Sequence, residues 1–180
     1  MNHLYLPKLF LMEIKFANFD DIPKLVALIN SAYRGDSSKK GWTTEADLLD
    51  GTRTDEANIE EMMKDKNSVF LKCMDETEKI NGCVYLQKQG GKLYLGMLTV
   101  SPELQGAGVG KKLLSAAIDY AKNINCPAIF MTVISVRSEL IAWYERHGYK
   151  KTGEKRPFPV GEKFGIQKQP LELIILEKNI

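Results

Sequence analysis

The stretch LQGAGVGKKLL, residues 104–114, places glycine at 106, 108 and 110 and then turns at once into a leucine-rich helical pattern. Alternate glycines ahead of a helix leave bare main chain at the positive end of the helix dipole, where unpaired N–H groups attract anions. The chemistry indicated is capture of a phosphate-bearing ligand by Gln105, Gly106, Ala107, Gly108, Val109 and Gly110, with Lys111 and Lys112 next in the chain. Two known phosphate loops do not fit. A P-loop requires glycine where Gln105 stands and Ser or Thr where Lys112 stands. The dinucleotide fingerprint requires glycine at Lys111. A plain tight turn explains one glycine more readily than three.

The surrounding elements must hold this loop at a strand–helix junction. Residues 12–17, MEIKFA, alternate as a first strand, and Asp20-Asp21 with Pro23 predict a helix start. Ile22, Leu25, Val26, Ile29 and Tyr33 follow at helical spacing, and residues 55–65 predict a second, amphipathic helix. Three strands are predicted at 68–74, 80–88 and 92–100, with turns near Asp75 and at Gly90-Gly91. The third is apolar on both faces: Leu93, Leu95 and Met97 on one, Tyr94, Leu98 and Val100 on the other. Such a strand belongs inside a sheet covered on both sides.

After the loop, Leu113, Leu114, Ala117, Ile118 and Ala121 form a helical stripe, and residues 128–134 form the next buried strand. Strand, helix and strand then make a crossover between parallel strands. A short helix at 138–147 closes on Gly148, and YKKTGE and LELIILEK complete the sheet. The expected fold class is α/β, with a mixed, mostly antiparallel central sheet and helices on both faces.

Composition narrows the function classes. With 180 residues, 44% hydrophobic, the chain fits one domain over 1–180, with 1–11 as an N-terminal extension. A net charge of +2 gives no nucleic-acid platform. Cys73, Cys83 and Cys126 are odd in number and lie in or beside strand-like sequence, as expected of reduced thiols in a cytoplasmic protein. His3 and His147 are the two histidines, and no cluster has metal spacing, so no metal site is expected. The apolar start is too short to span a membrane and is broken by Pro7, so no membrane partner is expected.

The block VSPELQGAGVGKKLL resembles the acyl-coenzyme A loop of the GNAT superfamily of N-acetyltransferases, whose core is Gln/Arg-x-x-Gly-x-Gly/Ala. The block LIAWYERHGYKKTGE is similar to that superfamily's later motif, in which a tyrosine on a short helix precedes a Gly-aromatic strand start. The likeness extends over 12–178 and is sharp between Val100 and Glu154. It implies a parallel strand pair that splays apart and transfer of an acetyl group from acetyl-CoA, the co-substrate, to a primary amine. The loop would cradle the pyrophosphate, with Lys111 and Lys112 adding charge to the phosphate environment; an ordinary solvated first turn is the other reading, an equal one for Lys112. The pantetheine arm would pair with the main chain of Leu98, Thr99 and Val100, where a backbone N–H would polarise the acyl oxygen. Tyr144 falls at the position of the usual general acid. Its residue type fits, because a phenol is protonated at neutral pH and can give a proton to a departing thiolate.

Arg137 stands where the superfamily commonly has asparagine; a phosphate contact and an ordinary solvated side chain are equal readings. For the base, the strand before the loop carries no acid. Glu45 and Asp47 acting through water are candidates, Glu103 is a weaker one, and an amine that arrives neutral needs none. Trp42 either receives a cation on its ring or packs beside a helix cap at Thr43 or Thr44. The basic, proline-bearing residues 155–168 read either as a surface loop beside the acceptor pocket or as a stretch that favours an acidic acceptor. A coenzyme A-binding sensor of the same fold is the alternative to the enzyme. A homodimer is compatible with the sequence.

Overall fold

Hydrophobic alternation and helical stripes resolve into a seven-stranded mixed sheet in the computed structural model, which describes residues 12–161, 163 and 165–180. The predicted extension at 1–11 lies outside the described residues. In chain order the elements are β1 (Glu13–Phe16), α1 (Ile22–Tyr33), α2 (Gly35–Ser38), β2 (Leu49–Asp50), α3 (Glu56–Lys64), β3 (Ser68–Met74), β4 (Ile80–Gln89) and β5 (Lys92–Val100). They continue with α4 (Val109–Asn123), β6 (Ala128–Ile134), α5 (Ser138–Arg146), β7 (Lys150–Pro157), β8 (Ile166–Gln167) and β9 (Glu172–Asn179). The large sheet runs β1-β3-β4-β5-β6-β9-β7 and is antiparallel except between β5 and β6, while β2 and β8 pair separately. Among the described residues no helix is long and apolar enough to cross a membrane.

Each face of the sheet buries its own cluster. Leu25, Ile29 and Ile59 from α1 and α3 pack with Phe70, Cys83 and Tyr85 on one side. Leu113, Leu114 and Ala117 of α4 pack with Leu93, Leu95, Ile129 and Met131 on the other, together with Ile141, Tyr144 and Tyr149. Each fully buried leucine contributes about 1.5–3 kcal/mol, so this stripe anchors the helix that carries the glycine loop. The three cysteines are buried and unpaired.

Two local details differ from the sequence expectation. A 3-10 turn at Phe19–Asp21 precedes α1 and is capped by Asn18: the Asp20 N–H donates to Asn18 Oδ1 (3.0 Å) and the Asn18 N–H to Asp21 Oδ2 (2.9 Å), while Asp21 holds the N-cap position of α1 without a side-chain cap bond. The Asp21 carboxylate is instead turned inward to the Lys72 ammonium, 2.7 Å away. The second difference is in β5. Cys83 pairs with Thr99 but Tyr85 pairs with Gly96, so Met97 and Leu98 together oppose Val84. Met97 takes a φ of 47° at this bulge.

The extra residue shifts the phase of alternation. Leu98 and Val100 therefore join Leu93 and Leu95 on the α4 side, while Met97 joins Tyr94 on the α1 side. The two faces predicted for β5 hold only as far as Leu95. Pairing with β6 stops ahead of the bulge, after Leu93↔Ile129 and Tyr94↔Phe130. Beyond that point the parallel strands part.

Candidate active site

The glycine loop begins with a short turn at Pro102–Leu104, and the Ala107 N–H donates to the Leu104 carbonyl (3.2 Å). Gly106 and Gly108 have φ of 84° and 91°, a region that side-chain-bearing residues enter only with strain. Gly108 is the N-cap of α4 and supplies no side-chain cap, which leaves the first-turn amides of α4 available to an anion. Gly110 has a different task. A Cβ there would lie 3.2 Å from the Trp143 ring, so its absence lets α4 start tightly against α5.

Two cavities flank the parting strands. The first, about 340 Å³, is lined by Leu98, Thr99, Val100, Gln105, Gly106, Gly108, Gly110, Lys111 and Arg137 among the predicted ligand-binding residues. Trp42, Trp143 and His147 complete its outer wall. Val109 instead is buried in the core, and Ala107 is exposed outside the cavity lining. Lys112 does not join Lys111 there; its ammonium is turned to the Met12 carbonyl. The second cavity, about 190 Å³, lies in the gap between β5 and β6 and is walled by residues 94–98 and 131–134, with Arg34, Glu45, Arg53, Phe158 and Pro159. Tyr33, Leu98, Arg137, Leu140 and Tyr144 line both cavities. The two spaces meet at Tyr144.

The polar contacts at this junction are specific. The Tyr33 hydroxyl donates to the Leu98 carbonyl (3.1 Å). Gln105 donates through Nε2 to the Val100 carbonyl (3.3 Å), and its Oε1 accepts the Trp42 N–H (2.9 Å). Burial pushes the Tyr33 phenol up to about 12. Burial likewise raises the Tyr144 phenol well above the ordinary tyrosine value, so it keeps its proton throughout the neutral range.

Glu45 and Arg137 are placed differently from their sequence expectations. Glu45 Oε2 accepts from Arg34 Nε (3.2 Å) and lies 3.2 Å from Arg34 Nη2, while Oε1 accepts from Arg137 Nη1 (3.0 Å). All three side chains are at least nine-tenths buried. Both carboxylate oxygens are thus occupied by guanidinium groups, so Glu45 anchors its neighbours and is not poised to take a proton from an amine. Arg137, which also donates to Thr43 Oγ1 (2.7 Å), is buried rather than solvated and lines both cavities. The attraction that decides both placements joins residues 92 apart in the chain.

Asp47 is exposed and lies 3.6 Å from Lys39, and neither it nor Glu103 lines a cavity. Trp42 walls the first cavity, 6.4 Å from the Trp143 ring centre, rather than the second. Thr44 accepts the Ala46 N–H (3.0 Å) in a turn, not at a helix cap. Arg53 and Tyr94 were not indicated by any motif. Arg53 sits alone in a polar turn, and no local spacing links it to Tyr33, over whose ring its guanidinium carbon stands at 5.5 Å.

A mixed sheet opened between its two parallel strands, with uncapped loop amides on one side and a buried phenol at the crossing, is the architecture of an acyltransferase. The family model described as "Acetyltransferase (GNAT) family" matches residues 25–149, and the chain belongs to that family. It is 24% identical over 98 residues to an acetyltransferase of Agrobacterium fabrum, a match covering 54% of this chain and 70% of the relative. It is 30% identical over 67 residues to a spermine/spermidine N(1)-acetyltransferase of Bacillus subtilis, covering 37% of this chain and 44% of that one. The match thus spans less than half of the Bacillus relative. The ribosomal-protein-S18-alanine N-acetyltransferase of Escherichia coli shares the fold, with a TM-score of 0.70, 16% identity and 94% of each chain covered.

Proposed function

We propose that this protein, acting as one domain over residues 1–180, is an N-acetyltransferase that moves the acetyl group of acetyl-CoA to a primary amine by direct attack on the thioester. The observation that carries this reading is the meeting of the two cavities at Tyr144 and Leu98. The first cavity suits the co-substrate, because the uncapped first-turn amides of α4 at Val109–Lys111 complement a diphosphate and an apolar channel past Leu98 and Val100 complements the pantetheine arm. The second suits the amine.

The reaction then divides between positioning and proton transfer. Holding amine and thioester in register supplies about 7–11 kcal/mol of the barrier reduction in well-oriented systems. The amine nitrogen forms a bond to the acyl carbon, the C–S bond breaks, and Tyr144 Oη gives its proton to the sulfur as the thiolate departs. The surplus proton on nitrogen returns to the tyrosinate through water. With Glu45 held by Arg34 and Arg137, no carboxylate among the described lining residues is free to act as base, so the amine enters neutral.

The test is a thermal-shift comparison of acetyl-CoA, coenzyme A and ATP, followed by a thiol-release assay over amines, amino acids, peptides and the polyamines that the name of the Bacillus relative suggests. Stabilisation by both coenzyme A species and amine-dependent thiol release are expected. Stabilisation by ATP alone would refute the reading; coenzyme A binding without turnover of any amine would leave a sensor.

A further inference from the structure

We infer that the second cavity selects a small amine bearing a carboxylate, an amino-acid-like acceptor rather than a polyamine, and that Arg53 receives the carboxylate. This deepens the acetyltransferase reading and rests on it. The described walls of this cavity carry three guanidinium groups, Arg34, Arg53 and Arg137, against one carboxylate, Glu45, a balance of +3 − 1 = +2. Burial raises the Tyr33 and Tyr144 phenols on the wall, so these two add no negative charge at physiological pH.

The three arginines are not equivalent. Arg34 is spent on Glu45 and on the carbonyls of Asp50, Gly51 and Thr52. Arg137 is spent on Glu45 and Thr43 through its terminal nitrogens. Its buried Nε has no hydrogen-bond partner among the described residues, a carboxylate oxygen of Glu139 lying 3.8 Å away. Arg53 has no carboxylate partner among the described residues and stands over the Tyr33 ring. That ring is pinned at its far end by the bond from its hydroxyl to the Leu98 carbonyl.

A cation fixed on one face of Tyr33, with the junction of the two cavities at that residue's hydroxyl end, defines a two-point site. An anion docks at Arg53 while the amine of the same small molecule reaches Leu98 and Tyr144. A planar guanidinium suits a carboxylate, which it can grip through two parallel bonds. A polyamine must instead carry its second ammonium into a net-positive enclosure.

The experiment uses the full chain and three matched pairs: alanine and ethylamine, methionine and 3-(methylthio)propylamine, phenylalanine and phenethylamine, with spermine as the polycation. Thiol release gives kcat/KM for each, and calorimetric titration into coenzyme A-saturated protein gives Kd without requiring turnover. At least one carboxylate-bearing member is expected to exceed its partner by about 10- to 100-fold, the range of a charge-assisted hydrogen-bonded contact. Arg53→Met is expected to erase most of that ratio through KM and Kd, and Arg53→Lys to retain part of it; the coenzyme A thermal shift of each variant verifies its fold. The inference is overturned if spermine or the carboxylate-free amines bind as tightly, if none of the amino acids binds, or if Arg53→Met keeps the full ratio. Failure of coenzyme A to stabilise the wild-type chain is a separate result, and it removes the acetyltransferase reading itself.

Discussion

Replacing Glu45 with glutamine separates an anchoring carboxylate from a catalytic one. In the structure Glu45 is the negative centre of a triad whose side chains are 5%, 9% and 8% exposed at Arg34, Glu45 and Arg137. Glutamine keeps the shape but leaves two buried guanidinium groups facing each other without a counter-charge. Removing one partner of a buried pair costs about 3–5 kcal/mol. For a domain of this size each kcal/mol moves Tm by about 2–4 °C, so a fall of about 6–20 °C follows. Urea denaturation and differential scanning calorimetry of the full chain, with acetyl-CoA absent, read the change directly. A loss below about 1 kcal/mol would refute the anchoring role. So would an unchanged Tm accompanied by a hundredfold loss of acetyl transfer, a result that would reinstate Glu45 as a base.

Three further outcomes are expected. Tyr144→Phe should lower kcat by about 10²- to 10⁴-fold with little change in acetyl-CoA affinity, and a loss under threefold in the thiol-release assay would remove Tyr144 from the general-acid role. Gly108→Glu places a Cβ at φ 91°, which costs about 1–3 kcal/mol, and sets a carboxylate beside the anion site; the coenzyme A-induced thermal shift should disappear, and an undiminished shift would place the diphosphate elsewhere. Buried Tyr33, raised to about 12, and Tyr144 and Tyr149, likewise raised by burial, stay protonated in the fold while unfolded tyrosines ionise near 10. Their contribution to stability is therefore complete below about pH 10 and is lost as pH rises through the folded values. Urea midpoints measured from pH 8 to 11.5 should drop above 10, and Tyr33→Phe should soften that drop.

What could be read in the sequence was what is decided locally. The α4 stripe and the hairpins β3–β4–β5 follow from periodicities of 3.6 and 2, and the glycine loop follows from a backbone requirement that three nearby residues state openly. The break of phase at Met97 has no such signature, because methionine is an ordinary strand residue and the bulge arises from how β5 must lie against Val84. The fates of Glu45 and Arg137 were equally hidden. Each reads as a polar residue in a loop or at a helix start, and only the folded chain shows that they neutralise each other. Arg53 shows the same limit at the substrate side: its position over Tyr33 depends on α1 and the following turn meeting in space, not on spacing along the chain.

The parting of β5 and β6 leaves main-chain acceptors in the middle of a sheet without a neighbouring strand, and such a gap is a template onto which a foreign strand could add. Tyr33 and Gln105 already hold the Leu98 and Val100 carbonyls, which removes two acceptors that an added strand would need. Solubility of the unloaded chain would then depend on two side chains that sit, in sequence, inside a helix end and a ligand loop.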